Sequence, residues 1–167
     1  MPWSITPGST REKLDYEERS LVVNVNQLVG QEWSFGARYR LSQAELKDAF
    51  PDIPSGLPPG GFSSRQDWES VLHQINVFVL YNHPSGFFGQ LESIWNVQSN
   101  DGYTPDRPGD DFWQFNAFIG YRFPHRQAEL KVGLLNITDQ DYRLNPLNLN
   151  LELPRERTVF VGLKLYF

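Results

Sequence analysis

Histidine is the side chain best suited to proton transfer near neutrality, and the three in this 167-residue chain are dispersed. His73 stands in an alternating apolar and polar run, while His83 and His125 fall in short Pro-containing stretches. No serine and carboxylate converge with any of them in the order of nucleophile, base and orienting acid. No catalytic residue is therefore assigned. The stretch NDGYTPDRPGDD offers Asp101, Asp106, Asp110 and Asp111 as oxygen ligands for a hard cation such as calcium. Its Gly and Pro content reads more simply as a solvated loop, so neither metal nor cofactor is assigned. With no cysteine, the chain has no disulfide and no thiolate metal site. A formal net charge of -5, without a Lys/Arg-rich stripe, argues against nucleic acid as a partner.

The elements carrying these residues alternate with period 2 in segments of about ten residues. Val159, Val161, Leu163, Leu165 and Phe167 form one apolar face, with Thr158, Gly162 and Lys164 on the other. Trp113, Phe115, Ala117, Ile119, Tyr121 and Phe123 oppose Gln114, Asn116, Gly120 and Arg122. Trp33, Phe35, Ala37, Tyr39 and Leu41 oppose Ser34, Gly36, Arg38 and Arg40. Val71, His73, Ile75, Val77, Val79 and Tyr81 make another such face, as do Phe87, Leu91, Trp95 and Val97 against Gln90, Glu92, Asn96 and Gln98. Residues 20–28 and 128–138 supply two less regular strands. A mean hydropathy of -0.48 beside 14% aromatic residues fits a wall with one face in lipid and one in water. No apolar run approaches the roughly 18 to 20 residues of a membrane helix.

Connections alternate in length. Short turns are expected at 29–31, 82–86 and 123–127, and long loops at 42–66, 100–111 and 139–154, with one helical turn at 44–49. The fold expected is all-β: an antiparallel up-and-down transmembrane β-barrel segment of about seven strands, with short periplasmic turns and long extracellular loops. An eighth strand at 3–6 would be too short to span. Residues 1–13 read as an outer loop or partial strand and 14–167 as the meander. Trp33, Tyr81, Phe87, Phe123 and Phe167 mark one interfacial level, and Trp68, Trp95, Phe112 and Trp113 the other. A soluble sandwich would also alternate, but would not leave Asn24, Asn26, Gln74, Asn76 and Asn116 on a face without a covering sheet. Arg38, Arg40, Glu92, Arg122 and Lys131 are expected to line the lumen, since a lipid-facing charge costs about 2–4 kcal/mol near the midplane. The N-terminal MPWSITPGSTREKLDYEER has no apolar core of a secretory leader, so an exported chain is expected to be part of a longer precursor or to start elsewhere.

The stretch LKVGLLNITDQDYRLNPLNLNLELPRERTVFVGLKLYF, residues 130–167, resembles the end of TonB-dependent receptors. That family's NLFDKDYR segment has its counterpart in NITDQDYR, residues 136–143, and the last strand follows an arginine pair, here Arg155 and Arg157. Phe167 with Leu165, Leu163, Val161 and Val159 resembles the signal by which the barrel-assembly machinery recognises its clients. The resemblance implies a wall segment in the outer membrane of a bacterial cell, about the last third of a barrel of about 22 strands. The whole would import a scarce ligand, powered by the TonB complex through an N-terminal plug that this chain lacks. The partners implied are outer-membrane lipid, the assembly machinery and the remaining barrel strands. Asn145 and Asn148, beside Pro146, would lie in an outer loop where such receptors contact ligands. A different class also fits the pattern: a small structural or adhesive barrel, standing alone or completed by oligomerisation.

Overall fold

The computed structural model describes residues 9–53, 63–104, 106–124, 127–142, 144 and 155–166. Seven strands follow the period-2 segments: β1 (Lys13–Val29), β2 (Trp33–Ala49), β3 (Arg65–Asn82), β4 (Phe87–Asp101), β5 (Asp111–Arg122), β6 (Ala128–Leu135) and β7 (Thr158–Leu165). Each pairs antiparallel with its chain neighbour, giving one up-and-down sheet in the order β1 to β7. No helix occurs among the described residues. The two outermost strands, β1 and β7, are not paired with each other, so the sheet is open. The short segment at 3–6 lies outside the described residues.

Turn chemistry accounts for the short connections. Gly86 sits at φ 102°, where an L side chain is strained, and a Cβ there would run into the Arg122 carbonyl. Its own carbonyl accepts from Arg122 N at 2.9 Å, and His83 N donates to Phe87 O at 2.8 Å, so one glycine both closes the β3–β4 turn and fastens it to β5. The three short connections leave one end of the sheet and the three long ones leave the other, as the alternation predicts.

Strand extents depart from the sequence reading. The expected helical turn at 44–49 is β strand, and the expected loop at 42–66 shrinks to 50–64, because β2 continues to Ala49 and β3 begins at Arg65. Ala44 pairs with both Glu18 and Ser70, and Leu46 with both Tyr16 and Trp68. An isolated helical turn fixes several dihedrals for one hydrogen bond, whereas this segment is laddered on both sides. β1 starts at Lys13 rather than near residue 20, because its first residues pair along β2 as far as Ala49. At the other margin, β6 stops at Leu135 instead of 138, because Asn136 turns left-handed at φ 51°.

Exposure is inverted relative to a globular domain. The strand side chains that are buried, including Ser42, Ser70, Phe88, Asn96, Gln98, Phe112 and Asn116, all stand on the polar face. From β2 to β6 the large exposed apolar residues all stand on the other, among them Val77, Leu91, Phe115 and Ile119. A flat single layer would expose both faces alike. The burial difference therefore means that the sheet curls with its polar face inward. Three polar-face rings cover glycines directly opposite them: Phe78 on Gly36, Phe88 on Gly120 and Phe160 on Gly133. Ring-on-glycine packing lets this face carry aromatics without crowding.

Candidate functional site

The polar face is tied together by side-chain amides reaching across strands. Arg38 Nε donates to Asn24 Oδ1 at 2.8 Å, and Gln74 Nε2 to Asn96 Oδ1 at 2.8 Å. Glu92 sits centrally: its carboxylate accepts from Asn76 Nδ2 at 2.7 Å and from Asn116 Nδ2 at 2.9 Å, joining β3, β4 and β5. Asn116 Oδ1 in turn accepts from Asn136 N at 3.0 Å. Near the short-turn end, Arg122 Nε meets Glu129 Oε2 at 3.0 Å, its Nη1 donates to Asn82 at 2.6 Å, and its guanidinium lies 4.2 Å over the Phe88 ring. Lys131 Nζ lies 4.1 Å over Phe118. Arg40 pairs with Glu18 at 3.5 Å. All five residues expected to line a lumen thus share this one face.

Glu92 supplies a direct test of the network. Replacing it with Gln leaves an amide that can accept from only one of two neighbouring donors. Glu92→Gln is expected to cost about 1–2 kcal/mol, read as a lower urea midpoint of unfolding, with Glu92→Ala costing more.

On the opposite face, Val159, Val161, Leu163 and Leu165 of β7 are all exposed and continue the apolar surface; Phe167 lies outside the described residues. At the short-turn end this surface carries Trp33 against Tyr81 (4.6 Å) and Phe87 against Tyr121 (4.8 Å), with Phe123 beyond at 5.1 Å from Tyr121. Towards the long-loop end Trp95 stacks on Trp113 at 6.0 Å, and its Nε1 donates to Asp111 at 2.7 Å. Trp68 and Phe112 share that outer level but face the other way: Trp68 stacks on Tyr103 and Phe112 on Tyr142. Burial raises the Tyr103 phenol above its ordinary pKa, with Arg107 opposing the shift, so it stays neutral at physiological pH.

Beyond the apolar surface the polarity of β1 to β3 changes sides. Glu17, Glu45 and Glu69 form one cross-strand row, and Asp15, Lys47 and Asp67 the next, on the face that is apolar lower down. Tyr16, Leu46 and Trp68 pair on the face that is polar lower down. The boundary runs obliquely. Val159, the first apolar residue of this face on β7, connects through Leu134, Ala117, Leu91 and Val79 to Phe35, six residues (41 − 35) short of Leu41, the last on β2. Six residues at about 3.3 Å against five strand spacings at about 4.8 Å make a slope of about 40°. The lower boundary, followed from Trp33 to Val161, lies four residues (165 − 161) from Leu165, a slope of about 30° by the same spacings.

The other candidates lie apart. His73 Nδ1 meets Tyr39 Oη at 2.8 Å on the apolar face, and His83 Nδ1 meets Ser85 Oγ at 2.7 Å in a turn; His125 lies outside the described residues. Asp101 accepts from Gly102 N and Asp111 from Trp95. Among the described residues no three His, Cys, Asp or Glu gather as a metal site. Asn145, Pro146 and Asn148 fall outside the described residues.

One cluster was legible in sequence only as part of the resemblance. Asn136, 3% exposed, accepts at Oδ1 from Gln140 N at 2.9 Å and donates through Nδ2 to the Gln140 and Arg155 carbonyls at 2.8 and 2.6 Å. Asp139, at φ 56°, accepts from Arg157 N at 2.8 Å. Together they tie the departing and returning stems of the last long loop where the β6–β7 ladder begins at Leu135 and Thr158.

Comparison with protein-family models, curated proteins and solved structures found no match to this chain.

Proposed function

We propose that this chain is a wall segment of a transmembrane β-barrel in a bacterial outer membrane, part of a TonB-dependent receptor that takes up a scarce ligand. It acts as wall, outer loops and assembly signal and not as an enzyme. One observation carries the reading: an exposed, oblique apolar band backed by a more buried polar face. In water the exposed residues would lose the burial that stabilises a fold, at about 25 cal/mol per Å² of apolar surface. In lipid the same band is solvated. The slope of about 30–40° matches the strand tilt of about 35–45° in membrane barrels. On β3 the band spans 71–81, close to the roughly 9–11 residues of a tilted crossing. The side on which polarity inverts is the side of the long loops, which supports an outward-facing extension of β1 to β3 above the bilayer. The choice of receptor rests on the resemblance of residues 130–167; a structural or adhesive barrel shares the wall but not that segment.

Tryptophan fluorescence in vesicles containing brominated lipid tests the band. Trp33, Trp95 and Trp113 are expected to be quenched strongly and Trp68 weakly, each measured as the sole tryptophan in a variant with the others changed to Phe. Equal quenching of Trp68 and Trp113 would sink the proposal.

A further inference from the structure

An imidazole stands inside the apolar band, and its hydrogen bonding says what it meets there, an inference that rests on the membrane reading above. His73 is exposed on the apolar face, directly opposite Leu41 on β2 and Val97 on β4. Neither side chain can take a hydrogen bond. Along β3 the same face carries Val71 towards the long-loop end and Ile75, Val77 and Val79 towards the short turns. One row further out, Gln43 stands opposite Val71 and donates to Glu69 Oε1 at 2.7 Å, while Arg19, opposite Gln43, pairs with Glu17 at 2.7 Å. Asp111 shares the row of His73 but lies two strands away on β5, where it accepts from Trp95 Nε1.

Tyr39 is the described residue that reaches the imidazole. Its Oη lies 2.8 Å from Nδ1, with the two rings stacked at 6.2 Å. The phenol has one proton and no other acceptor among the described residues, so it donates to Nδ1, and the hydrogen of the neutral ring stays on Nε2. A protonated ring carries a hydrogen there as well. In both forms Nε2–H is a donor on the lipid-facing side with no acceptor among the described residues. Depth selects its partner. Val71 is the last apolar residue of the band on β3, so at about 3.3 Å per residue and a strand tilt of about 40°, His73 stands about 5 Å inside the hydrocarbon margin. The first lipid oxygens at that margin are the carbonyls of the acyl esters; phosphate lies farther out, in a headgroup layer that adds about 5–7 Å on each side. An N–H left unpaired in hydrocarbon is costly, and the ester carbonyl is the acceptor within reach of the ring.

We infer that His73 is a lipid-binding residue, its Nε2–H donating to an acyl ester carbonyl in the leaflet on the long-loop side, with Tyr39 as the positioning residue that fixes the tautomer. The test uses the full chain with His83→Gln and His125→Gln and the remaining imidazole labelled with nitrogen-15. It is inserted into phosphatidylcholine vesicles whose acyl carbonyls carry carbon-13. Solid-state dephasing of Nε2 by the carbonyl carbons is expected to exceed that by lipid phosphorus. Tyr39→Phe is expected to reduce the carbonyl dephasing at least twofold, because Nδ1 is then free to carry the hydrogen. In ether-linked phosphatidylcholine, which has no acyl carbonyl, the folded-to-unfolded ratio in urea is expected to fall about fivefold, as for the loss of one ordinary hydrogen bond. His73→Leu, which has no donor, is expected to be equally stable in the two lipids. Dominant dephasing by phosphorus would move the contact to the phosphate and overturn the inference, as would equal stability of the parent chain in ester and ether lipid. Quenching of Trp113 by brominated lipid reports insertion separately: without it the membrane reading falls too, and with it a silent Nε2 refutes the ester contact alone.

Discussion

Val77→Arg is expected to lower the stability of the lipid-inserted protein by about 2–4 kcal/mol, a roughly 30- to 1,000-fold smaller folded-to-unfolded ratio. Val77 is 49% exposed near the middle of the apolar band, between Ala37 and Ser93 in register. No carboxylate stands in that row, so the guanidinium would have to be held in hydrocarbon or bend towards an interface. The matched control is Gln90→Arg, on the polar face and half-buried between Leu80 and Phe118 in register, with the Glu92 carboxylate two residues along the same face to receive the charge. It is expected to cost less than about 1 kcal/mol, as surface changes usually do. Urea titration of both variants in vesicles reads the difference. Should Val77→Arg and Gln90→Arg prove equally mild, the exposed apolar face is not in lipid and the barrel proposal fails.

Asn136→Ala carries the second large effect, for a different reason. The substitution removes the acceptor of Gln140 N and the donor to the Gln140 and Arg155 carbonyls, leaving those groups unpaired at a position only 3% exposed. It also places a Cβ residue without a compensating side-chain contact at φ 51°. Lost hydrogen bonds with stranded partners contribute about 1–3 kcal/mol and the left-handed backbone about 1–2 kcal/mol, so a loss of about 3 kcal/mol is expected. Asn136→Gly relieves only the backbone part and should recover about 1 kcal/mol of that loss. A one-residue slip of β7 would turn Val159, Val161, Leu163 and Leu165 towards the polar side. A disulfide engineered between Leu130 and Leu163, register partners across β6 and β7, should therefore form readily in the parent chain and poorly in Asn136→Ala. Unchanged stability together with an unchanged disulfide yield would show that the ladder alone sets the register.

Much of the architecture was legible because a strand states its faces locally. Alternation in residues 33–41, 71–81, 113–123 and 159–165 specifies which side chains share a face, and the spacing of turn residues specifies which end each connection leaves. Chain order then suffices for an up-and-down sheet. Arg38, Arg40, Glu92, Arg122 and Lys131 followed from the same parity, and the structure places them together without rearrangement.

What alternation could not supply was anything depending on a neighbour. Residues 44–49 look like a helical turn in isolation and become strand because β1 and β3 flank them. Their polarity inverts at the margin of the band, so the pattern followed along one strand breaks there. Trp68 and Phe112 could be ranked by level in sequence, but their face was fixed by register and by Tyr103 and Tyr142 stacking on them from the loops. Asn136 is an ordinary polar residue until Arg155 returns beside it. The chain thus determines its strands, their number and the two faces by itself, because those follow from the two-residue repeat of the backbone. The tertiary structure alone decided where each strand ends, how steeply the apolar band crosses the sheet and which polar groups meet, because these are properties of pairs of strands with long stretches of sequence between them.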